Sequence, residues 1–229
     1  MNCTVDHVVV AAASLAQGVA WCEATLGVTP GPGGRHALFG THNRLLRLDA
    51  APGTAFERCY FEIIAVDPEA PAPARARWFG LDTPALQAAI AVEPRLVHVV
   101  ARCDDVAAVR ARVLAAGHDP GAVLEAGRDT PQGRLEWRIT VSDDGRLAAG
   151  GALPTLLQWR GAHPTDAMPA LGLSLRALHL AGVAPALRTA YALQGVAWRD
   201  APAPALHAVI ATPRGEVALQ SLPPSENRP

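Results

Sequence analysis

The chain has no lysine: its 20 basic residues are all arginine. Schiff-base chemistry, an amine nucleophile and a phosphate-loop lysine are therefore excluded. It also lacks an excess of either charge, with 21 acidic residues and a formal net charge of −1. The arginines are scattered singly, so the basic stripe that phosphate backbones demand is missing and nucleic acid is not an expected partner. No apolar run is long enough to span a bilayer, and no basic region leads into an apolar signal core at the N-terminus. These absences predict a cytoplasmic protein that does not enter membranes. Cys3, Cys22, Cys59 and Cys103 form no Cys-x-x-Cys pair and read as packing thiols.

What is present, 229 residues that are 50% hydrophobic, suffices to bury a substantial core. Two stretches share an uncommon pattern. Residues 4–10, Thr-Val-Asp-His-Val-Val-Val, read as a buried β-branched strand interrupted by one imidazole, His7. Ninety-one residues on, residues 96–101 repeat the pattern, Leu-Val-His-Val-Val-Ala, around His98. A polar ring inside such a strand carries a desolvation cost that demands a partner, protein or metal. The flanks match as well. Seven residues after each histidine stands a helix N-cap residue, Ser14 or Asp105. The first helix then has Leu15, Val19, Cys22 and Leu26 on one face and stops at Gly27. The second has Val106, Val109 and Val113 and stops at Gly117, both glycines suiting a left-handed C′ position. A duplicated unit is the simplest account.

Taken in order, the first unit continues through a Gly- and Pro-rich loop at 29–34, a hairpin of strands 35–38 and 43–48, and a strand at 58–66 with Glu62 at its centre. A carboxylate between Phe61 and Ile63 is costly to bury unless protonated, paired or bound to a cation. Residues 67–94 read as a linker with a short helix near 83–90. The second unit has a strand at 95–102, a helix at 105–116 and strands at 122–126, 134–141 and 153–159, where Gln158 takes the place of Glu62. Residues 172–222 read as a third, degenerate copy, with a strand at 173–181, a helix at 184–193, and strands at 196–199, 206–212 and 216–221. Its counterpart of His7 is Leu175, so no metal site is expected there. That copy is expected to cover an exposed sheet edge or to pair with a second chain. The polar tail at 223–229 is expected to fray.

The expected fold is α+β: paired βαβββ modules, 1–66 and 95–160, forming a cupped mixed sheet within a domain at 1–165, with the third module appended. If the first and fourth strands of both modules line one concave face, His7, Glu62, His98 and Gln158 converge there. Two imidazoles, a carboxylate and an amide oxygen suit a borderline divalent ion with open positions. Trp78, Trp137 and Trp159 are candidates for an aromatic wall, and Arg35, His36, His42, Arg44, Arg102, Arg128 and Arg134 for the cup mouth, where arginine forks hold carboxylates or phosphates.

Asp6-His7-Val8-Val9-Val10, the Gly34-Arg35-His36 and Gly40-Thr41-His42-Asn43 hairpin, Tyr60-Phe61-Glu62, Arg134-Leu135-Glu136-Trp137-Arg138 and Gln158-Trp159 with His163-Pro164 resemble the glyoxalase-like branch of the vicinal oxygen chelate superfamily. The resemblance spans about residues 4–165. It implies paired modules forming a cup, often around a metal held by the first and last strands of each, here His7, Glu62, His98 and Gln158. Zn, Ni, Mn or Fe(II) would suit that set. The sequence departs from glyoxalase I at Gln158, because an amide is no general base at neutral pH. Proton transfer then falls to Glu62 or Glu136. The expected function is a homodimeric small-molecule enzyme in which the ion chelates vicinal oxygens and stabilises an enolate or oxyanion, an isomerase or lyase more than a dioxygenase, whose ligand composition of two histidines and one glutamate His7, His98 and Glu62 also supply. The alternative is a metal-free small-molecule binding protein using the same cup, like the bleomycin-resistance members.

Overall fold

The computed structural model of the chain describes residues 2–221, and the tail at 223–229 lies outside the described residues. The first module comprises β1 (Thr4–Ala11), α1 (Leu15–Thr25), β2 (Gly31–His36), β3 (Thr41–Leu48) and β4 (Cys59–Val66). After α2 (Pro84–Val92), the second comprises β5 (Arg95–Arg102), α3 (Val106–Ala115), β6 (Ala122–Thr130), β7 (Gly133–Val141) and β8 (Thr155–Arg160). Their eight strands make one mixed sheet in the order β2-β3-β4-β1-β5-β8-β7-β6. Within each module the first and last strands run parallel, and β1 meets β5 antiparallel at the seam. The first and last strands of both modules thus sit together at the centre.

The helix ends follow from local chemistry. The Ser14 hydroxyl accepts from Gln17 N at 3.1 Å, and the Asp105 carboxylate accepts from Ala107 N and Ala108 N at 3.0 Å each, satisfying first-turn amides. Gly27 and Gly117 follow the two helices at φ +75° and +92°, where a side chain would be strained. One expectation shifts: the glycine- and proline-bearing residues at 31–34 are not loop but the start of β2.

Period-two alternation divides the buried side chains between the two faces of the sheet. Val8 and Val10 point to the outer face, against α1 and α3, whereas Val9 and Ala11 point into the cup. The segment expected as a linker packs into the cup as well, through Trp78, Phe79, Leu81, Leu86 and Ile90.

The third module is β9 (Ser174–Ala181), α4 (Pro185–Tyr191), β10 (Ala197–Arg199), β11 (Ala205–Thr212) and β12 (Gly215–Gln220), a second sheet in the order β10-β9-β11-β12. It does not extend an edge of the large sheet. Leu175, Leu178, Leu180, Tyr191, Leu206 and Ile210 join the outer-face core with Val5, Val8 and Val10, because that face is the larger apolar surface left to cover. Among the described residues no helix is long and apolar enough to cross a membrane.

Tyr191 is fully buried, yet its hydroxyl has no hydrogen-bond partner among the described residues. An unsatisfied buried hydroxyl is a cost and the ring a gain. Tyr191→Phe is therefore expected to leave stability unchanged or raise it by up to about 1 kcal/mol. Tyr191→Ala should lose about 3–5 kcal/mol. Denaturant titration of both variants checks this, and a Phe variant losing more than about 1 kcal/mol would refute it.

Candidate functional site

The polar centre of the cup begins with a break in register. In the pairing of β1 with β5, Val5 faces Ala101 and His7 faces Val100, so Asp6 is an extra residue on β1. Such a bulge re-aims side chains that simple alternation would send to opposite faces. Asp6 and His7 are consequently both buried, and His7 Nδ1 lies 2.7 Å from Asp6 Oδ1. The second Asp6 oxygen accepts from Trp159 Nε1 at 2.9 Å and His163 Nε2 at 3.1 Å, with Arg102 Nη1 at 3.6 Å. His163 Nδ1 accepts from Thr165 N at 3.2 Å, which leaves its Nε2 as the proton-bearing nitrogen facing Asp6.

On its other side, His7 Nε2 faces Glu62 Oε2 at 3.5 Å. β4 delivers Glu62 to the cup face together with Tyr60, whose ring stacks on His7 at 4.3 Å. Asn43 Nδ2 donates to the other oxygen, Oε1, at 2.6 Å, and Arg128 Nη1 donates to Asn43 Oδ1 at 3.2 Å. The pair lines a narrow cleft of about 30 Å³ walled by Trp78, Trp137 and Trp159, which His36 also lines.

Charge is distributed unevenly along this array. Burial alone would strip His7 of its proton, but its bonds to Asp6 and Glu62 outweigh that cost and raise its pKa to about 9. Burial likewise works to raise Glu62, and the contact with His7 overcomes it, lowering Glu62 to about 2. Asp6 is held well below the usual carboxylate range because its bonds to His163 and His7 outweigh its burial. At neutral pH a cationic His7 therefore stands between two carboxylates. His36, half-buried and without a carboxylate bond of its own, is pushed down to about 4 by desolvation.

The second module is organised differently. His98 Nδ1 lies 3.2 Å from the Gly151 carbonyl, and its Nε2 accepts from Thr155 N at 3.2 Å with Thr155 Oγ1 at 2.8 Å. Both nitrogens are thus taken by protein, and burial, with the His7 charge adding, pushes His98 down to about 3. The β-register identifies the true counterpart of Glu62. Two residues after His7, Val9 pairs with Glu62; two after His98, Val100 pairs with Thr155. Where the first module pairs imidazole with carboxylate, the second pairs it with a hydroxyl.

Gln158 does not reach the cup. Leu157 and Trp159 take the inward positions of β8, whereas Gln158 accepts from Val106 N at 3.3 Å and donates to the Asp104 carbonyl at 2.5 Å, outside the sheet at the start of α3. Glu136 is exposed and paired with Arg134 at 3.1 Å. Arg35 is bound to Glu69 and lies 3.2 Å from Asp67, and His42 lies 3.8 Å from the same Asp67, so neither lines the cleft. Arg102 supports the centre from below, donating to the Arg58 carbonyl at 3.0 Å. Sequence reasoning passed over Asp6, Asn43, Thr155 and His163. Asp6 adjoins a strand histidine, and only the bulge, invisible in composition, turns it inward.

A divalent ion at this centre would find one imidazole aimed by Asp6 and one carboxylate, the start of a ligand set. The remaining donors required of it, His98 and Gln158, are turned to other partners. Among the described residues no group of three or more His, Cys, Asp or Glu is placed to hold a metal ion. The side chains present do not make the expected four-donor site, and no chemical step is assigned to a metal.

Residues 5–196 match the family model of a glyoxalase-like domain. A hypothetical protein from Staphylococcus aureus has the same fold, with a TM-score of 0.56 at 12% identity over 89% of this chain and 88% of that one. Methylmalonyl-CoA epimerase from Mycobacterium tuberculosis superposes with a TM-score of 0.38 at 18% identity, covering 71% of this chain and 91% of its own. A singly substituted form of the Streptomyces coelicolor methylmalonyl-CoA epimerase, in complex with 2-nitronate-propionyl-CoA, gives 0.42 at 18% identity over 69% and 96%. No curated protein matches the chain significantly.

The array sets a pH signature. His7, raised from 6.5 to about 9, contributes stability that is complete below pH 6.5 and lost as pH climbs through about 9; Glu62, lowered from 4.5 to about 2, contributes stability that is present above pH 4.5 and lost as pH falls towards about 2. Imidazole nitrogen NMR should find His7 titrating near 9, with His36 and His98 neutral at every pH above about 5. A His7 midpoint near 6.5 would show that the two carboxylates do not hold the proton.

Proposed function

The chain belongs to the glyoxalase-like domain family of the vicinal oxygen chelate superfamily, and on that premise we propose that it is an enzyme that moves a proton beside a carbonyl group of a small substrate. The observation that carries this reading is the His7–Glu62 contact, 3.5 Å across and lining an aromatic-walled cleft, with Asp6 behind the imidazole. A separation that long is a loose hydrogen bond. A substrate carbonyl oxygen entering there takes the His7 Nε2 proton as its hydrogen-bond donor, in place of Glu62.

That exchange of partners changes the acidity of Glu62. Its carboxyl is held near 2 chiefly by His7 against the upward push of burial. Once His7 turns to the substrate oxygen, burial prevails and the carboxylate becomes a stronger base. Asn43 keeps Oε1 occupied, so Oε2 is the oxygen that accepts the proton. Glu62 takes that proton from the carbon next to the carbonyl. The C–H electron pair becomes the new C=C bond, and the carbonyl π pair moves onto oxygen, where cationic His7 stabilises the oxyanion. Return of the proton by Glu62 to a different carbon of a conjugated enolate gives an isomerase, whereas return to the same face of the same carbon regenerates the substrate and is seen only as exchange with solvent. Asp6 holds the imidazole in place and keeps it charged, while Trp137 and Trp159, with rings 5.4 Å apart, exclude water.

A second reading is a metal-free binding protein. It is favoured by the completeness of the array, since Asp6, His7, Glu62, Asn43 and His163 already have partners. Deuterium exchange by NMR separates the two, using a panel of 2-oxo acids, 3-oxo acids and thioesters. At least one member should exchange at the carbon beside its carbonyl. Glu62→Gln should slow that exchange at least about 100-fold while leaving binding in place, and His7→Asn should slow it similarly. Saturable binding without exchange by any member would leave the binding protein as the correct reading.

A further inference from the structure

Arg128 is unlike the other arginines around the cup. Arg47 lies 3.0 Å from Asp49, and Arg134 lies 3.0 Å from Asp129 and 3.1 Å from Glu136. Arg128 has no carboxylate within ion-pair distance among the described residues, and its one hydrogen bond is to the neutral Asn43 side chain. It is also half-buried. A partly desolvated cation with no counter-charge is an unbalanced cost unless an anion arrives to share it.

The backbone is built to admit this side chain. A Cβ on Gly34 would lie 2.1 Å from Arg128 Nη1 and 2.8 Å from its Cδ, and a Cβ on Gly33 would lie 2.2 Å from Asn43 Oδ1. Any larger residue at 34 would force the Arg128 side chain to move from its present place beside Asn43. Arg128 also lines two cavities at once: the cleft holding His7 and Glu62, and a groove of about 570 Å³ beside it, walled in part by Leu45, Leu135, Met168 and Leu171. The guanidinium therefore stands where the reactive end of a bound molecule gives way to the rest of it.

We propose that Arg128 receives a carboxylate of the substrate, which makes that substrate an oxo acid whose apolar remainder lies along the Leu45–Leu171 groove. A guanidinium fork matches a carboxylate with two parallel hydrogen bonds. One unpaired arginine balances one negative charge, which fits a carboxylate better than a phosphate dianion. The proposal rests on the carbonyl-directed reading of His7 and Glu62 for the position of the oxo group, but the anion site itself does not depend on proton transfer.

Calorimetry on the whole chain tests it with straight-chain 2-oxo acids of increasing length, their methyl esters and inorganic phosphate. The acids should bind at least about 10-fold more tightly than the matched esters, with affinity rising as the chain lengthens. Arg128→Gln should erase the acid–ester difference and Arg128→Lys should restore part of it. The acid–ester contrast is read on the unaltered chain, so a variant that fails to fold does not remove the test. Acids and esters binding alike, no binding by any acid, or phosphate binding more tightly than the acids would each overturn the proposal. Arg128-dependent acid binding with no deuterium exchange would overturn the proton-transfer reading and leave this one standing.

Discussion

The centre of this molecule depends on one buried carboxylate. Asp6 has no solvent exposure, and an ionised group there is tolerable only because donors converge on it. Those donors come from both modules: His7 from the first, Trp159 from β8 of the second, and His163 from the turn that follows β8. Beside the β1–β5 ladder, this acid thereby joins two halves that the chain separates by some 150 residues. The same contacts that stabilise the charge orient His7, so the fold and the chemistry draw on one interaction. Removing an acceptor of this kind leaves several buried donors without a partner, which costs more than the loss of a single bond.

Much of the architecture was legible because it rests on periodicity and capping. The twin strands around His7 and His98, the caps at Ser14 and Asp105 and the glycine stops recur where the sequence places them. Glu62 was legible too, as a carboxylate in a run of apolar residues. What failed was register. Counting along the chain matched Gln158 to Glu62, but the parallel pairing of β5 with β8 matches Thr155 instead, and β8 alternates so that Gln158 faces α3. In a strand a shift of one residue reverses the facing, and loops of unequal length between the copies make such a shift undetectable from spacing. Asp6 was hidden for the opposite reason: alternation sends neighbours to opposite faces, and the bulge cancels it. The outer-face position of the third module was equally hidden, because an apolar strand pattern does not say which surface it covers.

The duplication has diverged into a division of labour. In the first module the imidazole meets a carboxylate and stays charged; in the second it meets the Thr155 hydroxyl and the Gly151 carbonyl and stays neutral. A hydroxyl can satisfy a buried ring without adding a charge, so His98 serves the packing of the seam while His7 carries the electrostatics. Two side-chain differences underlie this contrast, since Val97 stands where the first module has Asp6 and Thr155 where it has Glu62, and with them the second module lacks both carboxylates that hold the His7 proton.

Charge counting then connects the two ends of the cup. Asp6 and Glu62 contribute two negative charges, cationic His7 contributes one positive, and Arg102, 3.6 Å from Asp6, contributes another. The buried array closes at neutrality without Arg128. That arginine is surplus to the balance, yet it is tethered to Glu62 through Asn43, which accepts from Arg128 and donates to the carboxylate. An anion arriving at Arg128 would offset a charge that the array does not use, and so would leave the proton on His7 undisturbed. On the proposed reading, holding the substrate and moving its proton would be separable tasks, joined through the Asn43 amide between Arg128 and Glu62.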